Sequence, residues 1–267
     1  MSKKIEITKL QIKNGFKTAS EIIYEKDIFI MRLKQPVFGF KMWEAAYSPS
    51  MGMTDKNMHD YLDGKSECPA LLANHIEWLE WLKTKYYSFE TINKVVLRGP
   101  KYNLTTKCQS VPSGSDFIKI KAEKRLPEWV FLLESIPNII IIDYNLSSSF
   151  TEVKEDVDKV REFFGDKLIY IEEPFPNYYN KERYSNVNYI FDNEFVLDIL
   201  ESKYIQATDI VSLKMGRNTP LEYEKTRIAK VPVTFTNILT SKLGEDIINS
   251  VNNKLGTYVI SAYEAEN

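Results

Sequence analysis

The sequence predicts a mixed α/β chain: a (β/α) barrel of about eight strands, preceded by a smaller α+β unit. Three observations carry this expectation. Between Lys119 and Lys214, five short apolar runs each end abruptly in charge: Phe-Ile-Lys119-Ile-Lys121, Ile-Ile-Ile-Ile-Asp143-Tyr-Asn145, Ile-Tyr-Ile-Glu172-Glu173-Pro174, Tyr-Ile-Phe-Asp192-Asn-Glu194 and Ile-Val-Ser-Leu-Lys214. Strands of a parallel sheet are covered on both faces and read as continuous apolar runs of this length. The terminal charges recur at intervals of roughly 20 to 30 residues, room for one strand, one helix and two loops. The first 34 residues behave differently. There apolar and polar residues alternate, the mark of half-buried antiparallel strands. The expected boundary separates residues 1–92 from a barrel over 93–267.

In chain order, Lys4–Ile12 alternates and reads as a strand, and Asn14-Gly15 supplies a turn signal. Asp27–Leu33 reads as a second strand and Phe38–Trp43 as a third. A short helix is expected over Asp55–Leu62 and a stronger one over Cys68–Leu82, where Leu71, Leu72, His75, Trp78, Leu79 and Leu82 recur at helical spacing. His75 and Trp78 lie on that stripe and are expected to pack; His59 has no partner motif. The barrel is expected to open with a strand near Lys94–Gly99, followed by a polar, turn-rich segment to Ser115. Pro127–Glu134 reads as a short helix with proline early, where helices accept it. Ser149–Phe164 is an amphipathic helix with Val153, Val157, Val160 and Phe164 as its apolar stripe and Gly165 as its stop. Shorter helices should follow Asp192 and Lys214. Pro232–Asn237 reads as the seventh barrel strand, Leu239–Asn252 as a helix and Thr257–Tyr263 as the eighth strand.

A charge at the carboxyl end of a barrel strand faces the mouth, where this architecture keeps its active sites. One rim is thus expected to collect Lys121, Asp143, Glu172, Asp192 and Lys214. Three converging carboxylates repel one another, and a hard divalent cation relieves this. Mg²⁺ takes oxygen ligands, keeps some waters and leaves room for a substrate carboxylate; Mn²⁺ is also compatible. A lysine beside that metal and beside a second lysine should lose affinity for its proton and serve as a general base. The reaction this layout suits is removal of a proton α to a carboxylate, with the metal stabilising the enediolate.

The ordered set Lys-x-Lys, Asp-x-Asn, Glu-Glu-Pro, Asp-x-Glu and a final Lys resembles the enolase superfamily. Within it the set is similar to the muconate-lactonising subgroup, and most like the o-succinylbenzoate synthases. The resemblance implies an enolase-type barrel, here shortened, under an N-terminal α+β capping domain. It implies Asp143, Glu172 and Asp192 as metal ligands, Lys121 as the base with Lys119 supporting it, and Lys214 as a cation facing the intermediate. Asn145 and Glu194 match positions that support the ligands from behind. Gly15–Ser20 and Ser48–Met53 resemble the two cap loops, which puts Ser20 and Met51 near the substrate. Thr236 and Asn237 stand where relatives carry small polar residues touching a substrate carboxylate. Trp43-Glu-Ala-Ala-Tyr-Ser-Pro49 partly matches a segment of the family's cap. The implied activity is a carbon–oxygen lyase of menaquinone biosynthesis, dehydrating a succinyl-hydroxycyclohexadiene carboxylate. Alternatives are racemisation of an N-acylated amino acid on the same site, or an enolase-fold protein that binds a carboxylate without turnover. Dipeptide epimerases carry an Asp-x-Asp motif on the eighth strand; Tyr258–Tyr263 lacks it.

Composition excludes other classes. Across 267 residues, 35 Lys+Arg against 37 Asp+Glu leave a net charge of −2, so no basic excess invites nucleic acid or an anionic membrane. The two cysteines, Cys68 and Cys108, have neither zinc-site nor framework spacing, which fits free thiols in a reducing compartment. The start lacks the apolar core of a signal peptide, and no run approaches the roughly 18 residues of a membrane span. The expectation is a cytoplasmic protein with a small-molecule carboxylate substrate; the oligomeric state is left open. No P-loop, dinucleotide fingerprint, zinc-protease or serine-hydrolase motif occurs.

Overall fold

The computed structural model describes residues 4–17, 22–34, 39–47, 55–68, 70–85, 111, 113–192, 196–202, 204–236, 241–256 and 265–266. The chain opens with β1 (Lys4–Lys17), β2 (Ile22–Leu33) and β3 (Trp43–Tyr47), all antiparallel neighbours. Helices α1 (Asp55–Leu62) and α2 (Ala70–Lys85) follow. Then come β4 (Phe117–Lys121), β5 (Ile139–Asp143), α3 (Phe150–Phe164), β6 (Leu168–Glu172), β7 (Asn188–Phe191), α4 (Val196–Glu201), β8 (Ile210–Leu213), α5 (Pro220–Ile228), β9 (Val233–Phe235) and α6 (Lys242–Leu255). A last short strand, β10 (Ala265–Glu266), pairs with β1 to complete a four-stranded sheet in the order β10-β1-β2-β3.

Strands β4 to β9 form a second, curled sheet, wholly parallel and in chain order, as in a segment of a barrel. The strands expected at Lys94–Gly99 and Thr257–Tyr263 lie outside the described residues. The third strand is displaced from its expected range of Phe38–Trp43. Gly39 adopts a left-handed backbone (φ 88°) and bends follow at 41 and 42, so regular pairing starts at Trp43, opposite Leu33. Pro127–Glu134 contracts to a 3₁₀ turn over Glu128–Leu132. The last long helix begins at Lys242, where the Ser241 hydroxyl accepts from Gly244 N, rather than at Leu239.

Register and side-chain alternation explain the apolar runs. Lys121 is opposite Asp143, Asp143 opposite Glu172, Glu172 opposite Ile190, and Ile190 opposite Ile210. Side chains alternate along a strand, and partners in register share a face. Phe117, Ile141, Tyr170, Ile190 and Ile210 therefore point to one side, where they form their own buried cluster. Ile118, Ile120, Ile140, Ile142, Ile169, Ile171, Phe191, Val211 and Leu213 point to the other, into the main core shared with the helices. Both faces are dry, so the strands are apolar throughout. The charges enter only where the inner face reaches the carboxyl ends.

Helices are tied to the strands they follow. Buried Asp156 of α3 accepts from Tyr144 Oη (3.0 Å), Leu126 N (2.7 Å) and Arg125 Nε (2.9 Å), gripping the loops after β4 and β5. Ser149 caps α3 by accepting from Glu152 N, and Gly165, at φ 70°, ends it. The edge of β9 is met by α6: Asn252 Oδ1 accepts from Phe235 N (2.6 Å) while its Nδ2 donates to Phe235 O (2.5 Å). As expected, Trp78 and His75 are buried and Val153, Val157 and Val160 line the inner side of α3.

Candidate active site

The inner-face charges meet at the carboxyl ends of β4 to β8. Lys119 Nζ donates to Glu172 Oε2 at 2.7 Å and stands 3.2 Å from Asp143 Oδ2. Lys121 Nζ is paired with the same Asp143 oxygen and donates to Asn145 Oδ1 at 3.2 Å. Across the sheet, Lys214 Nζ is paired with Asp192, whose Oδ1 also accepts from Ser212 Oγ at 3.2 Å. Ser212 Oγ in turn lies 2.8 Å from Thr236 Oγ1. Lys119, Lys121, Asp143 and Glu172 are all under one-tenth exposed.

Two turns shape this rim, and both use left-handed backbone. Asn145 (φ 47°) and Leu146 (φ 61°) follow β5, and Glu173 (φ 43°) follows β6. Such values in residues other than glycine cost energy and persist where neighbours enforce them. Here the enforcement is mutual: Tyr144 N donates to Glu172 O (3.1 Å), Leu146 N to Glu173 O (2.6 Å) and Ser148 N to Pro174 O (3.2 Å). The turn at Glu173 breaks the alternation, so two consecutive glutamates act on the same rim. The Glu173 carboxyl lies within electrostatic reach of Asp192, Glu172 and Lys214.

The loop after β8 is fixed from several sides. Lys214 N donates to Asn218 Oδ1 (2.8 Å), and Asn218 Nδ2 donates to Glu222 Oε1 (2.9 Å). From α2, Asn74 Nδ2 donates to the carbonyls of Gly216 and Arg217, both at 3.1 Å, and Trp78 Nε1 donates to that of Asn218 at 2.7 Å. Arg217 Nη1 donates to Asp192 O, just past the end of β7, at 3.5 Å.

Charge is divided unevenly. Burial opposes ionisation of Asp143, but Lys121 and then Lys119 outweigh it and hold the carboxyl down to about 2. Burial, then Asp143, pushes Glu172 up to about 7 despite Lys119. The reason is competition: both acids share Lys119, and Asp143 has Lys121 besides. Burial, then Asp192 and Glu172, lifts Glu173 to about 8. Asp192 is buried too, yet Lys214 and Arg217 keep it below the ordinary aspartate range. Burial works to lower Lys119, but Glu172 and Asp143 prevail and hold it above the ordinary lysine range. Among the described residues, no three His, Cys, Asp or Glu side chains converge closely enough to hold a metal ion as they stand, because the acids are turned to their lysines.

Lys119, Lys121, Asp143, Asn145, Glu172, Asp192, Lys214 and Thr236 are thus brought to one rim. The side chain of Asn145 meets Lys121, while its backbone N donates to Asp143 Oδ1 at 3.2 Å. Glu194, Asn237, Ser20 and Met51 lie outside the described residues. Sequence reasoning passed over Glu173, Ser212 and Arg217 as site residues. Ser212 was findable, because it lies two before Lys214 and so shares its face. Among the described residues no helix is long and apolar enough to cross a membrane.

No family model matches the sequence, and no curated protein matches it. Solved structures do match. The L-Ala-D/L-Glu epimerase of Bacillus subtilis, in a substrate-liganded complex, aligns with a TM-score of 0.69 at 12% identity, covering 97% of this chain and 89% of that one. A dipeptide epimerase from Cytophaga hutchinsonii, complexed with Mg and the dipeptide D-Ala-L-Val, gives 0.64 at 15% identity, with 97% and 86% covered. A mandelate racemase/muconate lactonizing protein from Herpetosiphon aurantiacus gives 0.62 at 10% identity, with 97% and 88% covered. At these identities the likeness is one of fold: the chain is folded like the enolase-type enzymes.

Proposed function

We propose that the protein is an enzyme that removes a proton α to a carboxylate, using a divalent metal, and that its reaction is a dehydration yielding o-succinylbenzoate. In this reading residues 1–92 cap a catalytic barrel over 93–267. The observation that carries the chemistry is the placement of Lys121 and Lys214 at opposite sides of one row of buried carboxylates.

The donor set fits Mg²⁺ in kind: three carboxylates on successive strands, all oxygen, with substrate and water left to complete an octahedron. The Asp143 Oδ2 atom is buried and faces only the ammonium groups of Lys119 and Lys121, the position a metal cation would take in their place. Asp143, Glu172 and Asp192 would hold the ion after turning from their lysines. When bound, it would supply positive charge against the enediolate oxygens. Lys121 would take the α-proton and return it to the departing hydroxyl on the same face. Lys214 would stay protonated opposite, adding charge stabilisation. Lys119, released from Glu172, would set a second positive charge beside Lys121 and lower its proton affinity.

The dehydration rests on the order of the motifs. Racemisation of an N-acylated amino acid is a second reading, favoured by the matched environments of the two lysines, each paired with its own aspartate. The deciding assay supplies purified protein with Mg²⁺ and the succinyl-hydroxycyclohexadiene carboxylate and follows the aromatic product. Absence of turnover, together with α-proton exchange in an N-succinylamino acid, would replace the dehydration by the racemisation. Absence of both would remove the proposed chemistry altogether.

A further inference from the structure

The rim carries four acids, Asp143, Glu172, Glu173 and Asp192, and four cations, Lys119, Lys121, Lys214 and Arg217. Each of the three lysines is paired with a carboxylate. Arg217 is not: its guanidinium makes one long hydrogen bond, to the Asp192 carbonyl, and no ion pair among the described residues. An arginine only partly exposed and left, among the described residues, with four unused N–H donors is under-satisfied.

It is also held in place. Its own carbonyl and that of Gly216 accept from Asn74, the neighbouring carbonyl from Trp78, and its backbone N donates to Lys214 O at 2.8 Å. A donor fork on a fixed backbone loses little entropy on binding, which is the condition for selective recognition. Arg217 acts on the Asp192 carboxylate only at a distance, so its guanidinium lies beside the acid row with most of its hydrogen-bonding capacity unspent among the described residues.

We infer that Arg217 is a specificity residue, which grips a second carboxylate of the substrate, remote from the one at the reacting carbon. The proposed substrate already carries such a carboxylate on its succinyl arm, and Arg217 is the residue that selects for it. A carboxylate suits the site better than a phosphate dianion, because the ionised Asp192 stands on the same side and repels extra negative charge. This inference rests on the proposed reading of the site, in which the first carboxylate is bound at Asp143, Glu172 and Asp192.

The test is calorimetric titration of the Mg²⁺-supplied protein with N-succinylglycine and N-acetylglycine, which differ in the distal carboxylate. The wild type should prefer N-succinylglycine by about 10- to 100-fold, the worth of a charge-assisted pair. Arg217→Gln should bring the ratio close to one. Arg217→Lys should retain part of it, since charge survives while the fork is lost, and it serves if the Gln variant fails to fold by circular dichroism. A wild-type ratio near one, or a full preference in Arg217→Gln, would overturn the assignment. α-Proton exchange of an N-succinylamino acid in D₂O separates the two claims. Selective binding without exchange keeps Arg217 and removes the reaction, whereas exchange without selectivity does the reverse.

Discussion

Lys121 and Lys214 close the same face of one parallel sheet from opposite sides of its acid row, the first paired with Asp143 and the second with Asp192. A syn dehydration needs only one of them as a base. In that case wild-type protein should exchange the α-proton of one enantiomer of an N-succinylamino acid in D₂O, and Lys121→Ala should lose this exchange. Exchange of both enantiomers, with Lys121→Ala and Lys214→Ala each sparing a different one, would establish two bases. Lys214→Ala should cost roughly 10²- to 10³-fold in dehydration rate, the usual worth of one preorganised charge. Lys214→Arg should recover a measurable part of it.

Metal binding should be visible without turnover. A ligand that binds the folded state alone raises its melting temperature in proportion to the logarithm of its concentration. Addition of Mg²⁺ to chelator-treated protein should therefore raise Tm, and Asp192→Ala should remove most of the rise. An unchanged wild-type Tm at millimolar Mg²⁺ would argue against the carboxylate assignment.

The raised proton affinity of Glu172 has a stability consequence whose sign is defined. Its carboxyl titrates near 7 in the folded chain, against the ordinary glutamate value of 4.5. Between those pH values the folded state binds more protons than the unfolded one, so this group's contribution is fully present below 4.5 and is lost as pH rises toward 7. Glu172→Gln removes that dependence. In chelator, the Tm of Glu172→Gln minus that of wild type should rise steadily from pH 4.5 to 7. A flat or falling difference would contradict the assigned direction. Asp143, held near 2, gives the opposite behaviour at the acid end, where its contribution is lost below the ordinary aspartate range.

The hold of α6 on β9 should be costly to break. Asn252→Leu would leave both Phe235 N and Phe235 O without the buried amide that satisfies them. Each unsatisfied group costs about 1–3 kcal/mol, so urea denaturation should show a loss of about 2–6 kcal/mol. Thr236 is the next residue, so the proposed substrate contact there should weaken as well. A loss under about 1 kcal/mol would mean that another group takes over the pairing.

The parallel sheet was legible because its physics is local. An apolar run buried on both faces, cut off by a charge where the inner face meets the mouth, leaves a pattern in one dimension, and Asp143, Glu172, Asp192 and Lys214 each show it. Glu173 was hidden because alternation assigns it to the outer face; only the left-handed turn, enforced by hydrogen bonds from the loop after β5, brings it to the rim. Arg217 was hidden because its meaning lies in the lack of an ion-pair partner among the described residues, which no sequence displays. The start of β3 was misplaced for a simpler reason: Phe38 to Trp43 has the composition of a strand, but the bend after Gly39 delays pairing. Spacing says which groups meet but not how Asp143 and Glu172 divide Lys119 between them.

The grip of α2 on the loop after β8 bears on how the rim is assembled in time. Lys214 and Asp192 are 22 residues apart in the chain, but Asn74 and Trp78 reach carbonyls 140 to 143 residues away. Closing the longer loop costs only about 1.6 kcal/mol more in chain entropy, yet contacts of such separation form late. During synthesis α2 leaves the ribosome long before the segment it will clasp exists. Its indole and amide donors must wait in water until Gly216, Arg217 and Asn218 arrive. Refolding chains should therefore regain backbone ellipticity first, and the quantum yield of buried Trp78 and the competence of Lys214 together afterwards, as a single late event.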